Sequence, residues 1–194
     1  MRKLILAALF AATATAAFAG PFESGAAAFK RGDYRTAMED WRGLTTDSMV
    51  QNDFGIMYKD GKGVPQNYAT AVQWFSRSAA AGNSLGQNNL GGMYRDGIGV
   101  NRDYGRAMTF FRAAAQQGNA AAQVNLGLML GQGQGTRPDY VQAYMWFDLA
   151  AQQGVAQAVS YRTQVRSHMS ANDVAMANNA SQRCRVNNFK NCAA

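Results

Sequence analysis

The chain has 194 residues, of which 47% are hydrophobic and 16% charged, and its formal net charge at pH 7 is +7. The single histidine, His168, excludes a metal site built on two or more histidines of one chain, and a Ser-His-Asp triad would have to use it. Glu23 and Glu39 are the only glutamates, and Glu39 beside Asp40 indicates a solvated face rather than an acid/base pair. We therefore predict no catalytic residue, no cofactor and no metal. The basic residues are scattered rather than gathered with aromatic residues, which argues against a nucleic-acid partner.

The N-terminus has the pattern of a secretory signal peptide. Two basic residues open it, residues 4–18 are apolar or small, and the sequence AFA at residues 17–19 is a small-x-small cleavage site. We therefore predict cleavage after Ala19 and a periplasmic or secreted protein. Without Arg2 and Lys3 the chain keeps 17 basic and 12 acidic residues, a formal charge of +5. No later stretch approaches twenty continuous apolar residues, so we predict no membrane span.

Beyond the signal peptide, one pattern recurs every 36 residues. The segments that begin at Met49, Leu85 and Ala121 align without a gap, and ten positions are identical in all three. A fixed period of this size is typical of a solenoid, in which each unit buries its apolar face against its neighbours. We divide the chain into the signal peptide (1–19), N-terminal capping helices (20–48), three repeats (49–84, 85–120 and 121–156), and C-terminal capping helices with a basic tail (157–194).

Each copy has the periodicity of two helices. Ala71 and Phe75 belong to an apolar stripe at helical spacing in the second half, and Phe54 and Met57 belong to the equivalent stripe in the first half. The repeated methionines are predicted to fill gaps in the core rather than to bind a cofactor. A short oxygen-bearing side chain precedes each second helix as its predicted N-cap and a glycine follows it as its predicted stop: Asn67 with Gly82, Asp103 with Gly118, and Asp139 with Gly154.

Two glycines separate the helices of every copy, and in the third copy they belong to the stretch GQGQG, residues 131–135. This stretch resembles a phosphate-binding loop, but no copy supplies GxxxxGK[ST], and the preceding residues occupy a helix rather than a strand. We therefore predict turns and no nucleotide. Gly131 stands where the earlier copies have Lys59 and Arg95. We expect it to loosen its helix and to mark a change in the character of that surface.

The segments on either side of the repeats have the features of caps. Residues 25–44 repeat the second-helix stripe after a shorter turn, and the C-terminal segment predicts one more helix and then a last helix that opens on a Ser170-x-x-Asp173 capping box. Cys184 and Cys192 have neither CxxC nor zinc-site spacing. In an oxidising compartment we predict that they form a structural disulfide, which pins the tail to the last helix.

The sequence NLGGMYRDGIGVNRDYGRAMTFFRAAAQQGNA, residues 89–120, closely resembles the Sel-1-like repeat (SLR), whose signature is LGxMYxxGxGVxxDxxxAxxWxxxAAxxG. The other copies are similar, so the resemblance covers 108 residues, and the third copy departs from it at Leu130 and Thr136. Residues 25–44 resemble a tetratricopeptide unit. The resemblance implies an all-α fold, a right-handed α-solenoid of antiparallel helix pairs. It also implies an adaptor or regulator, because exported bacterial members include regulators of membrane signalling proteins and factors for envelope assembly.

In a solenoid of this type the first helix of each pair lines the concave side. Residues opposite its buried stripe vary between the copies while the core does not, and we predict that they form a partner-binding face: Asn52, Ile56, Lys59, Asn88, Gly92, Arg95, Val124 and Leu128. The first two copies supply amides and cations to this face, and the third copy supplies apolar groups. Such a face fits an extended or helical acidic peptide with an apolar end. This chemistry loosely resembles the carboxylate clamp of some tetratricopeptide proteins, and ordinary solvated variation would give the same pattern.

The sequence therefore favours a non-catalytic periplasmic adaptor or regulator that binds a protein or peptide partner in the cell envelope. Two alternatives stay open. Some cysteine-rich secreted SLR proteins are associated with penicillin binding or weak β-lactam hydrolysis, but they carry a cysteine pair in each repeat and no repeat here contains one. The basic surface could instead bind an anionic cell-wall polymer or lipid surface.

Overall fold

The computed structural model describes residues 20–190 and residue 192, and the predicted signal peptide lies outside them. This part of the chain contains no strand, and its α-helices follow in the order α1 (Pro21–Lys30), α2 (Tyr34–Trp41), α3 (Ser48–Asp60), α4 (Tyr68–Ala80), α5 (Ser84–Asp96), α6 (Tyr104–Ala115), α7 (Ala120–Gln132), α8 (Tyr140–Gln152), α9 (Ala156–Arg166) and α10 (Ala171–Val186). Among these helices, none is both long and apolar enough to cross a membrane. The all-α prediction is confirmed.

The helices pack as consecutive pairs that build a solenoid. α3 packs with α4, α5 with α6 and α7 with α8, and each pair contacts the next through α4 with α5 and α6 with α7. α9 begins at Ala156, one 36-residue period after α7 begins at Ala120, so it takes the place of the next first helix. We call α3, α5, α7 and α9 the first helices. α10 also packs against α8 and closes the C-terminal end.

The predicted N-caps are present. Asn67, Asp103 and Asp139 each accept a hydrogen bond of 2.9 Å from the backbone N–H three residues further on. The glycines that follow the second helices have φ between +82° and +87°, the left-handed conformation that ends a helix. Ser170 and Asp173 form the predicted capping box of α10. The backbone N–H and the hydroxyl of Ser170 both donate to the Asp173 carboxylate and hold its pKa below the ordinary value.

The paired glycines form the turn between the two helices of a unit. Gly97 ends α5 at φ +69°, and Gly99 follows at φ +72°. A Cβ on Gly99 would stand 2.6 Å from the carbonyl oxygen of Tyr68, the first residue of the preceding second helix. Both the backbone conformation and the lack of space therefore require glycine there. The second glycine fixes how one unit packs on the unit before it.

The third unit keeps the same turn despite Gly131. α7 runs unbroken past this residue, and Gly133 ends the helix at φ +68°. The N–H of Asp139 donates to the carbonyl of Leu130 at 2.9 Å, the length of the equivalent bond in the second unit. The expectation that Gly131 loosens its helix is therefore wrong, because the turn is held by the two glycines after it and by this backbone bond.

The core of each unit forms where a phenylalanine of the second helix meets a glycine of the first. The pairs are Phe75 with Gly55, Phe111 with Gly91, and Phe147 with Gly127. All three rings are at most 1% exposed. The methionines at positions 57, 93 and 129 are at most 3% exposed, so the prediction that they fill the core is confirmed.

A buried carboxylate joins the last three helices. Asp148 on α8 is 7% exposed, and it accepts hydrogen bonds from Arg162 on α9 and, at 2.6 Å, from the hydroxyl of Ser181 on α10. Gln152, one turn further along α8, donates to the same carboxylate. Arg162 occupies the position at which the preceding first helices carry Phe54, Leu90 and Leu126. Polar bonds therefore hold the C-terminal cap where apolar contacts hold the repeats.

Cys184 and Cys192 lie within disulfide-bonding distance, with Cα atoms 4.8 Å apart, and both are buried against the core of the third unit. We predict that the exported protein forms this bond. Replacing both residues by serine should then lower the free energy of unfolding by about 2–3 kcal/mol, because the crosslink closes only a short loop. Intact-mass measurement without reductant tests the bond, and urea denaturation tests its contribution. A fully reduced mass, or unchanged stability of the double variant, would contradict the prediction.

Candidate partner-binding face

The first helices form one continuous layer of the solenoid. α3 contacts α5 and α7 contacts α9 directly, and side-chain hydrogen bonds join α3 to α5 and α5 to α7. Each second helix lies behind this layer and contacts the first helices before and after it. We call the side of α3, α5, α7 and α9 that faces away from the second helices the inner face. The eight predicted partner-binding residues belong to the first three of these helices.

Asparagine side chains bond along the inner face from one unit to the next, and we call this arrangement the asparagine ladder. Nδ2 of Asn89 donates to Oδ1 of Asn52 at 2.8 Å, and Nδ2 of Asn125 donates to Oδ1 of Asn88 at 2.9 Å. Both bonds join residues 37 positions apart, which is one repeat plus one residue. Asn52 is only 2% exposed. It therefore supports the inner face from below. The prediction that Asn52 contacts a partner is wrong, because its side chain is buried.

Four of the predicted residues lie together in one groove. This cavity of about 370 Å³, which we call the amide groove, is lined by Lys59, Asn88, Asn89, Gly92, Arg95 and Asn125, among others. The ladder uses Oδ1 of Asn88 and Nδ2 of Asn89, and no other group of the described chain bonds Nδ2 of Asn88 or Oδ1 of Asn89. One donor and one acceptor thus line the same groove. They match the C=O and N–H groups of an extended peptide backbone.

The two cations of the amide groove already have acidic neighbours. Arg95 donates to Asp96 through hydrogen bonds of 2.7 and 2.9 Å and to Oδ1 of Asn125 at 3.0 Å. The bond to Asp96 raises the pKa of the Arg95 guanidinium. Nζ of Lys59 lies 3.5 Å from Oδ1 of Asp60. The groove therefore offers amide hydrogen bonds more than free positive charge, and in this respect it differs from a carboxylate clamp.

The inner face becomes apolar towards the C-terminal end. A second cavity of about 200 Å³, which we call the terminal pocket, is lined mainly by Leu128, Gly131, Tyr140, Phe147, Tyr161, Val165 and His168. Three of the predicted partner-binding residues are apolar, and of these Leu128 lines the terminal pocket. The other two, Ile56 and Val124, are half-buried at the edge of the core.

His168 forms one wall of the terminal pocket. Its ring stacks on Tyr140 with centroids 4.7 Å apart and planes inclined by 15°, and the residue is exposed. The hydroxyl of Ser167 donates to the carbonyl of Gln164 rather than to the imidazole. Phe147 and Tyr161 form a second ring pair in the pocket, with centroids 5.4 Å apart. His168 therefore contributes an aromatic ring to the wall of the terminal pocket.

Asp53 holds on α3 the position that Asn89 and Asn125 hold on α5 and α7. Burial raises the pKa of Asp53 above its ordinary value, and the amide of Asn52, which donates to it at 3.1 Å, acts in the opposite direction. Across the described residues, His, Cys, Asp and Glu side chains nowhere gather in threes as a metal site requires. The inner face offers amide hydrogen bonds in the groove and apolar contact in the pocket.

Known proteins share both the sequence pattern and the fold. The family model of the Sel1 repeat matches residues 49–83, 84–119 and 120–155, which together make up more than half of the chain. The chain belongs to the Sel1 repeat family. Sel1 repeats commonly mediate protein–protein interaction. Among curated protein sequences, none matches this Sel1 repeat protein.

Two solved structures are similar to this Sel1 repeat protein. The Sel1 repeat protein from Oxalobacter formigenes is 31% identical with a TM-score of 0.69, and the match covers 72% of this chain and 57% of that one. A protective antigen present in uropathogenic Escherichia coli strains, which displays an SLR fold, is 26% identical with a TM-score of 0.62. That match covers 87% of this chain and 46% of the antigen. This chain thus spans about half the length of these solved relatives.

Several residues of the inner face of this Sel1 repeat protein were not predicted from the sequence. Asn89 and Asn125 lie one position beyond the predicted stripe, and Tyr161 follows Asn125 by one full period. The recurrence of asparagine at this second position was a signal that could have identified them. Tyr140 and His168 gave no such signal, because their stacking depends on how α8 and α9 pack.

Proposed function

We propose that this Sel1 repeat protein is a non-catalytic adaptor or regulator that holds an extended segment of a partner protein on its inner face. The observation that carries the proposal is that a free donor of Asn88 and a free acceptor of Asn89 line the same amide groove. The backbone of an extended strand presents C=O and N–H groups to one side, so this pair can bind it irrespective of the partner's side chains. Affinity then comes from the groove and selectivity from the neighbouring pockets.

We further propose that the protein acts outside the cytoplasm, in the periplasm or after secretion. Two features support this location. Residues 1–19 have the pattern of a signal peptide, and Cys184 and Cys192 stand at disulfide distance. Disulfides persist in oxidising compartments and are rare in the cytosol. The partner is accordingly a protein or peptide of the cell envelope.

Replacing Asn88 by aspartate tests the amide groove. The substitution removes the free Nδ2 donor and keeps an oxygen that accepts from Asn125. The test uses peptides that are first selected from a random twelve-residue library for binding to the unsubstituted chain. Their affinity should fall about tenfold in the variant, because a peptide carbonyl would then face an oxygen. Fluorescence anisotropy with the labelled peptides measures the change, and circular dichroism confirms that the helices are retained.

Asn179→Asp provides the matched control. Asn179 is exposed on α10 and lies outside the amide groove, so the same change in charge there should leave peptide affinity unaltered. An equal loss in both variants would indicate a general effect of charge. A selection that returns no binding peptide, or an unchanged affinity for Asn88→Asp, would refute the proposed binding mode.

A second candidate function is binding of an anionic envelope surface. Residues 156–194 contain five basic residues and one acidic residue, and because Arg162 pairs with Asp148 of α8, the other basic residues leave a net charge of +3 at this end. A basic end of this kind attracts an anionic cell-wall polymer or lipid surface. Such binding is released by moderate salt, whereas hydrogen bonds in the amide groove are little affected by it.

A further inference from the structure

The terminal pocket owes its shape to a missing side chain. In the second unit the guanidinium carbon of Arg95 lies 5.7 Å from the centroid of the Phe111 ring and covers it. One period later, Gly131 replaces Arg95 and Phe147 replaces Phe111. No side chain extends from position 131 over the Phe147 ring. Tyr161 packs against this ring instead, so the ring is only 1% exposed and forms the floor of the pocket. The opening is therefore specific to the third unit.

The chemistry of the lining defines what fits. Phe147 and Tyr161 form one aromatic pair, Tyr140 and His168 another, and Leu128 supplies an aliphatic wall. The described lining also includes the amides of Gln132 and Gln164, but no carboxylate and no lysine or arginine. The pocket therefore offers neither a carboxylate nor a lysine or arginine to a charged group, and its aromatic pairs favour apolar contact. Its volume of about 200 Å³ suits a phenyl or branched aliphatic group, because a cavity of about 150 Å³ accepts benzene.

The pocket continues the surface of the amide groove. Asn125 lines the groove, and Tyr161, its equivalent one period later, lines the pocket. Packed helices are in general about 10 Å apart, so we expect the pocket between α7 and α9 to lie about 15 Å from Asn88 on α5. An extended chain rises about 3.3 Å per residue and crosses this distance in four or five residues.

We propose that the terminal pocket binds an aromatic or branched aliphatic side chain of the same extended segment that the amide groove holds, four or five residues from the backbone contacts. This assignment rests on the proposed function and adds a sequence requirement to it. The partner segment must carry an apolar anchor at a fixed spacing. A segment without the anchor binds only through its backbone and therefore binds more weakly.

The single histidine gives a direct test of the pocket. In the untagged chain from Gly20 onward, the ring signals of His168 report on one site. N-acetyl-L-phenylalanine amide or N-acetyl-L-leucine amide should shift these NMR signals saturably, with a Kd of about 1–10 mM, and N-acetyl-L-serine amide should not. The absence of a saturable shift, or an equal response to the serine derivative, overturns the proposal. Signals that depend instead on protein concentration alone would indicate a second copy in the pocket and also overturn it.

Three substitutions at position 131 separate blockage of the pocket from effects on the backbone and from effects of charge. Gly131→Arg restores the residue type of the earlier units and should abolish the shift, whereas Gly131→Ala leaves the pocket open and should keep it. A Cβ at this position would lie 3.4 Å from Val165 Cγ1 and 3.5 Å from the Cβ of Ala143, which are ordinary contacts, so the alanine variant should fold. Circular dichroism checks that the arginine and glutamine variants keep their helices. Gly131→Gln repeats the blockage without charge. A shift that persists in the arginine and glutamine variants overturns the proposal.

Peptide selection separates this inference from the proposed function. Twelve-residue peptides selected on the unsubstituted chain should share an apolar residue, and replacing it by serine should weaken binding at least tenfold. Gly131→Arg should cause the same loss and Gly131→Ala no loss. If Asn88→Asp weakens the peptides but Gly131→Arg does not, the proposed function stands and the pocket assignment fails. If no peptide binds, both fail.

Discussion

Alanine at Gly91 is expected to lower the free energy of unfolding by about 1–2 kcal/mol, whereas alanine at Gly92 should raise it by up to about 1 kcal/mol. Both residues lie within α5, where alanine is favoured over glycine by about 1 kcal/mol. A Cβ on Gly91 would stand 2.9 Å from the buried ring of Phe111, so overpacking outweighs this preference. Around a Cβ on Gly92, no atom lies within 4 Å apart from its chain neighbours and the backbone of its own helix.

Urea denaturation of the two single variants measures both effects, and each variant is the control for the other. Because they share a helix and a substitution, the difference between them isolates the packing of the phenylalanine ring. Gly55→Ala repeats the experiment in the first unit, where the added Cβ would lie 2.4 Å from the ring of Phe75. Stability changes of the same sign and size at Gly91 and Gly92 would contradict the packing described here.

Replacing Asp148 by alanine is expected to cost about 3 kcal/mol of the free energy of unfolding. The change leaves the guanidinium of Arg162 and the hydroxyl of Ser181 without their acceptor. Breaking one side of a buried ion pair costs about 3–5 kcal/mol, and the lower end applies because the Arg162 side chain is 31% exposed. Urea denaturation measures the loss, and hydrogen exchange should show that α9 and α10 lose protection before the repeats.

Asp96→Ala is the matched control for Asp148. It removes a carboxylate that also pairs with an arginine, but the Asp96 side chain is 40% exposed, so we expect a loss of less than about 1 kcal/mol. The same variant frees the guanidinium of Arg95 in the amide groove. If both aspartate variants lost the same stability, or if α9 and α10 kept their protection without Asp148, the buried junction would not hold the C-terminal cap.

The repeat architecture was predictable because its determinants are local. An N-cap such as Asn67 bonds to a backbone N–H only three residues away, and a stop such as Gly97 needs only a left-handed conformation. Both requirements recur with the 36-residue period, so the helix boundaries predicted in one copy are supported by the same residues in the other copies. The helix pairs, their caps and the buried methionines all followed from these short-range rules.

The inner face was only partly predictable because its contacts join different units. Asn52 and Asn88 hold the same position in the repeat, yet one is buried and the other lines the amide groove. Their exposure depends on side chains from neighbouring units, which a single helix pattern does not contain. The pairing of Arg95 with Asp96 was also hidden, since adjacent residues do not face each other along a helix. It arises because Asp96 is the last residue of α5.

The asparagine ladder has a consequence for the entropy of the proposed binding. Asn88 and Asn89 each bond a neighbouring unit through one polar atom, and the other polar atom of each has no bond within the described chain. A side chain anchored in this way has already lost rotamer freedom that otherwise costs about 0.5–1.5 kcal/mol on association. In the binding mode that we propose, the inner face would therefore be a preorganised template, and the loss of conformational entropy on binding would fall mainly on the partner's segment.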